Sequence, residues 1–176
     1  MYTASIIIPY FRKKTFFKKT IRSIINQTQR NFEVIVIYDD EDLSELNYVK
    51  NIIQKDKRLK LHINKKNLGA GESRNLGIKL AKGKFICFID ADDIWKKNKL
   101  RYQLNQMIKI NSDISFTSYN IIDDNDKIKG KRIVPKNISY ESLSQKCEIG
   151  LSSVLVKTNI LKKNKFPILK TQEDLG

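Results

Sequence analysis

The chain is predicted to adopt an α/β fold, a mainly parallel sheet flanked by helices on both faces, with a small hairpin insertion in its second half. Three observations predict it. Apolar runs at residues 5–9, 32–38 and 85–90 are nearly continuous, as in strands buried on both faces. Segments with helical apolar spacing lie between them. Two of the runs end abruptly in acids, Asp39, Asp40, Glu41 and Asp42 after the first, and Asp90, Asp92 and Asp93 at the second. In open α/β sheets ligands bind beyond the carboxyl ends of the strands, so two acidic strand ends could line one crevice.

The elements follow in order. Residues 5–9 form the first strand, with Tyr10, Phe11 and Arg12 at its tip. Residues 15–27 carry Phe17, Ile21, Ile24 and Ile25 on one helical face. After the strand at 32–38, Asp42 and Glu45 resemble a capping box, and Leu46, Val49 and Ile53 continue a second helix. Leu59, Leu61 and Ile63 alternate with Lys60 and His62 in a half-buried strand, which puts the only histidine on the polar side. Residues 71–82 read as a helix with Leu76, Leu80 and Ala81 inward and Gly83 as its stop. The strand ending at Asp90 comes next, then a helix at 97–110 with Leu100, Leu104, Met107 and Ile108 in period. Residues 114–122 and 128–134 read as a hairpin around the turn at 123–126, followed by a short helix near 140–145 and a strand at 152–156.

Composition limits the classes. A chain of 176 residues with 40% hydrophobic and 9% aromatic residues fits one globular domain rather than a disordered segment. Its apolar runs are far shorter than the ~20 residues of a spanning helix, and Met1-Tyr-Thr-Ala leads straight into a strand, so no signal peptide is visible. A cytoplasmic protein with reduced Cys87 and Cys147 is expected. The net charge of +15 leaves three readings open: solvated surface, peripheral contact with an anionic membrane, or nucleic acid.

The acids carry the chemistry. Carboxylates crowded at a strand end repel one another unless a cation or hydrogen-bond donors sit among them. Hard oxygen ligands suit Mg²⁺ or Mn²⁺, ions that keep positions open for substrate phosphates. An acidic turn or a helix cap is the alternative for the same residues.

Several segments together resemble the family-two glycosyltransferases of the GT-A type. They are Ser5-Ile-Ile-Ile-Pro9, the Ser23-Ile-Ile-Asn-Gln-Thr28 helix end, Phe32-Glu-Val-Ile-Val-Ile with Asp39, Asn67-Leu-Gly69 with Ser73-Arg-Asn-Leu-Gly77, and Gly83-Lys-Phe-Ile-Cys-Phe-Ile-Asp-Ala-Asp-Asp-Ile-Trp95. The likeness covers about the first hundred residues closely and the rest more loosely. It implies a single GT-A domain over 1–176, with a nucleotide-sugar-binding half at 1–95 and an acceptor-side half at 96–176, and an inverting transfer from a nucleotide sugar, most simply a UDP-sugar, to an acceptor hydroxyl in cell-surface polysaccharide or lipopolysaccharide synthesis. Family members continue past an acidic pair matched here by Glu173-Asp174, so a chain incomplete at its C-terminus is expected.

The resemblance also implies roles, residue by residue. Asp39 matches the acid that accepts a hydrogen bond from the base, a job suited to a carboxylate because uracil N3 is a donor. Pro9 and Phe11 fall at the base-contacting tip of the first strand, although Phe11 stands in place of the usual tyrosine and Arg12 in place of a common asparagine. Arg74 matches an arginine near the nucleotide, with a helix-surface position as the alternative. Asp90 and Asp92 match the outer acids of the Asp-x-Asp motif, the first near the ribose or sugar, the second on Mn²⁺ or Mg²⁺. Asp93 is expected to assist through water or to cap the next helix, and Trp95 to pack. Glu173-Asp174 matches the family's acidic pair, which makes Asp174 the candidate base and Glu173 its neighbour. The implied partners are a nucleotide-sugar donor and a carbohydrate or lipid-linked acceptor, at the inner face of the plasma membrane and without nucleic acid. A sugar-phosphate nucleotidyltransferase would need a Gly-rich loop after the first strand, which Pro9-Tyr-Phe-Arg-Lys-Lys-Thr15 lacks. A noncatalytic nucleic-acid-binding module would leave the acidic strand ends unexplained.

Overall fold

The computed structural model describes residues 2–134 and 149–167. Its main sheet has six strands. Strands β1 (Ala4–Tyr10), β2 (Phe32–Tyr38), β3 (Leu59–Ile63) and β4 (Phe85–Phe88) are parallel, in the order β3-β2-β1-β4. Two short antiparallel strands, β8 (Leu155–Lys157) and then β5 (Ile114–Ser115), extend the β4 edge. A separate two-stranded hairpin joins β6 (Tyr119–Ile122) to β7 (Ile128–Arg132).

Strand periodicity divides the core between two faces. Ile6, Ile8 and Tyr10 of β1, with Val34, Val36 and Tyr38 of β2, pack beneath α1 (Lys14–Ile25), α2 (Leu46–Ile53) and α4 (Lys99–Ile110). Ile7, Ile35, Ile37, Ile86 and Phe88 face the other way, toward α3 (Gly69–Leu80) and α5 (Thr158–Lys163), with Ile78, Leu76 and Leu161 packed against them. Helix α3 lies so close to β1 that a Cβ on Gly77 would collide with the Ile7 side chain. Gly83 has a similar constraint: its Cβ would come within 2.5 Å of the Ala4–Ser5 backbone.

Some expectations shift. Gly83 does not stop α3, which closes at Ala81, and Leu80 turns to solvent. The capping box does not form: α2 starts at Leu46, the Asp42 carboxylate accepts the Ser44 amide instead, and the Tyr10 hydroxyl donates to Glu45 at 2.5 Å. Ile108 is exposed although it is in period with Leu104, since α4 buries only the narrower stripe of Leu100, Gln103, Leu104 and Met107. Ile114 leaves the hairpin and joins the main sheet through β8. Residues 151–153 form a 3₁₀ turn ahead of β8. The expected helix at 140–145 and Cys147 lie outside the described residues. Cys87 is a buried free thiol and His62 is exposed, as read from the sequence. Among the described residues, no helix is long and apolar enough to cross a membrane.

One buried charge is poorly accommodated. The Lys99 stem reaches solvent, but its Nζ is enclosed 3.8 Å from the Trp95 ring centroid, with no hydrogen-bond acceptor among the described residues. Burial pushes its pKa down to about 8 and that of the nearby Cys87 thiol up to about 11. Lys99→Met, which keeps the chain length and removes the ammonium, is expected to stabilise the fold at pH 7 by about 2 kcal/mol, part of the gain being offset by the lost cation–π contact. Because the folded Lys99 pKa lies below the unfolded one, the wild type should gain stability relative to Lys99→Met as pH rises from about 8 toward ~10.4 and the two proteins should converge, the opposing loss from the raised Cys87 thiol being common to both. Urea unfolding of both at pH 7 and pH 10 checks this; a less stable Lys99→Met at pH 7 would show that the ammonium is well accommodated.

Candidate active site

The carboxyl ends of β2, β1 and β4 lie side by side, so the two acidic strand ends flank the tip of the first strand. Asp39 follows β2 and is almost fully buried. Its Oδ1 accepts hydrogen bonds from Asn64 Nδ2 (2.7 Å) and from the Leu68 amide (2.9 Å), the latter just ahead of α3. No donor among the described residues bonds Oδ2. The carboxylate thus anchors the entrance to α3 through one oxygen, and its other oxygen is unbonded among the described residues. Next to it a cavity of about 350 Å³ is lined by Asp40, Glu41, Leu43, Ile63, Asn64 and Lys65.

Asp40 serves the frame. Its carboxylate accepts from Arg12 Nε (2.8 Å) and Nη2 (3.4 Å) and from the Asp42 amide. Burial alone would raise its pKa, but the guanidinium and the amide together hold it below the usual carboxylate range. Arg12 sits in the left-handed region at φ 48°, with its guanidinium over the half-buried Phe11 ring, 4.9 Å from the centroid. Phe11 is therefore half-buried with one face engaged by its neighbour, while Pro9 remains a partly exposed member of β1.

At the end of β4 the acids separate by role. Asp90 Oδ1 accepts from Arg74 Nη2 at 2.9 Å, and its amide donates to Ser152 Oγ at 3.1 Å. Asp92 Oδ2 pairs with Lys13 Nζ at 2.9 Å, both side chains being partly open to solvent. Asp93 bonds Ser152 and does not cap α4. Its carboxyl is held above the ordinary range, first because the surrounding protein excludes water and then because Asp90 and Asp92 repel its charge, although part of the residue stays open to solvent. Trp95 is buried, and its indole N–H donates to the Ser152 carbonyl.

Arg74 is not a surface arginine. Its side chain is 12% exposed, and its Nε is enclosed without a partner among the described residues. The guanidinium lies 5.8 Å from the Phe166 ring centroid, and Asn75 grips the Phe166 backbone twice, donating from Nδ2 to its carbonyl and accepting its amide at Oδ1. The chain beyond β8 is thereby fastened beside the candidate site. Glu173 and Asp174 lie outside the described residues.

Among the described residues, no three His, Cys, Asp or Glu side chains converge as a metal cage. Asp92 offers hard carboxylate oxygens partly open to solvent, a donor set that fits an Mg²⁺ or Mn²⁺ ion completing its coordination with other oxygen ligands. Lys13, Asn64, Asn75 and Ser152 are the contributors that the sequence reading missed. Asn64, at the end of β3, carries the nearest available signal, since the ends of β2 and β4 had already marked that edge of the sheet.

Residues 5–165 match the family described as Glycosyl transferase family 2. The UDP-Glc:alpha-D-GlcNAc-diphosphoundecaprenol beta-1,3-glucosyltransferase WfgD of Escherichia coli is 36% identical over 172 residues, which cover 98% of this chain and 67% of that protein. The crystal structure of S. aureus TarS 1–349 superposes with a TM-score of 0.76 at 25% identity, over 99% of this chain and 53% of that one. The mannosyltransferase PcManGT from Pyrobaculum calidifontis, in complex with GDP-Man and Mn²⁺, shares the fold with a TM-score of 0.71 at 14% identity, over 94% of this chain and 48% of that one. The chain thus spans about half to two thirds of the length of these matched chains.

Proposed function

Because the chain belongs to glycosyl transferase family 2, we propose that it moves a sugar with inversion from a UDP-sugar to the hydroxyl of a carbohydrate or lipid-linked acceptor in surface polysaccharide synthesis. The observation that carries this reading is the gathering of Asp39, the Arg74–Asp90 pair and Asp92 on one sheet edge. The UDP-glucose donor and the polyprenyl-diphosphate-linked acceptor in the E. coli relative's name support the substrate classes. A net charge of +15 supports work at an anionic membrane face in the cytoplasm.

In this reading Asp39 Oδ2 accepts the N3–H of uracil, and Pro9 and Phe11 border the base. Arg74 orients Asp90 toward the ribose or sugar. Asp92 would hold Mg²⁺ or Mn²⁺, which supplies positive charge against the departing diphosphate. Asp174 takes the proton of the attacking hydroxyl, and Glu173 supports it.

Calorimetry tests the reading. UDP is expected to bind more tightly with Mn²⁺ than with EDTA, and Asp92→Asn to lose about tenfold in the Mn²⁺-dependent affinity while melting like the wild type, since coordination passes from a carboxylate to a neutral amide. Unchanged Mn²⁺-dependent binding in folded Asp92→Asn would remove Asp92 from that role.

A further inference from the structure

Both outer acids of the Asp90-x-Asp92 segment are already neutralised by the chain, Asp90 by Arg74 and Asp92 by Lys13. The second pairing is built from the backbone upward. Arg12 turns the chain in the left-handed region, a conformation that costs a non-glycine residue on the order of 1 kcal/mol, and Asp40 clamps its guanidinium. The next residue, Lys13, is the N-cap of α1, its carbonyl accepting the Phe16 and Phe17 amides. With its backbone fixed on both sides, Lys13 leaves the end of β1 toward the end of β4 and sets its ammonium 2.9 Å from Asp92 Oδ2.

We propose that Lys13 is the resident counter-ion of Asp92, and that a divalent cation binding at this carboxylate competes with the lysine for Oδ2. The inference rests on the reading of Asp92 as the metal-holding acid. An ammonium and a hard divalent ion seek the same oxygens, and when close they repel each other. Lys13 therefore weakens metal binding in the absence of donor, which biases the site toward a cation that arrives together with a diphosphate able to complete its coordination.

Titration of nucleotide-free protein with Mn²⁺, followed by the paramagnetic resonance signal of the free ion, tests this. Lys13→Met is expected to bind Mn²⁺ about two- to fivefold more tightly than the wild type, from loss of the competing pair and of its repulsion. Lys13→Gln should behave likewise, and Lys13→Arg should return to the wild-type affinity. A merely structural lysine would not make metal binding tighter when removed. Equal Mn²⁺ affinity in Lys13→Met and wild type, with weaker binding in Asp92→Asn, would overturn the competition and leave Asp92 as the metal acid. Wild-type affinity in Asp92→Asn would overturn both.

Discussion

Glu33→Ala is expected to destabilise the fold by about 3–4 kcal/mol, the cost of removing a buried, fully hydrogen-bonded carboxylate. Glu33 is completely buried in β2. One oxygen accepts from Ser5 Oγ and from the Lys82 amide, each at 2.7 Å, and the other from Lys60 Nζ at 2.5 Å. The substitution leaves a cavity and strips the Lys82 amide, just beyond α3, of its acceptor. Because the Lys60 side chain is 41% exposed, its ammonium can return to water, which keeps the loss below that of a fully buried pair. Burial on its own would lift the Glu33 pKa, but Lys60, Ser5 and the Lys82 amide together hold it below the ordinary value. The stabilisation is thus present above ~4.3, the unfolded value, and is lost as pH falls through the lower folded value. Glu33→Gln should flatten that acid limb. Urea unfolding from pH 3 to 7 measures both effects, and a loss under 1 kcal/mol for Glu33→Ala would show the network to be dispensable.

The same residue marks what the sequence makes legible. The apolar runs at 32–38 and 85–90 are continuous because parallel strands bury both faces, a property of each segment alone, and they correctly place the strands and their acidic ends. The partners of Glu33 lie 28, 27 and 49 positions away, and no local spacing points to them. Lys13 shows the same limit: as one of many lysines, only the turn at Arg12 and the β1-β4 adjacency bring it to Asp92. Ile114 and Ile108 fail for another reason. Strand alternation and helical period say which residues share a side, and the packing of neighbouring elements decides whether that side is covered.

Asp39→Asn is expected to reverse the preference between uracil and cytosine nucleotides, shifting the ratio of UDP to CDP affinity by about 100-fold. The E. coli relative's name specifies UDP-glucose and the structural neighbour from P. calidifontis holds GDP-mannose, so the shared fold leaves the base to local residues. In the proposed reading the local residue here is Asp39, a carboxylate with two separate duties. Its Oδ1 is occupied by Asn64 Nδ2 and the Leu68 amide, both donors, so an asparagine must keep its carbonyl oxygen there to avoid facing two donors with a third. That choice places Nδ2 where Oδ2 was. A donor then faces uracil N3–H, while cytosine N3 offers it an acceptor. Loss of a charge-assisted hydrogen bond is worth about 1.5–3 kcal/mol, and a mismatched donor pair adds to it. Alanine would be a poorer probe, since it also strands Asn64 and the Leu68 amide and loosens the start of α3. Calorimetry of UDP and CDP with wild type and Asp39→Asn, each with its melting temperature, separates the outcomes. An equal fall for both bases would make Asp39 only the anchor of Leu68, and an equal affinity for UDP before and after would place the base elsewhere.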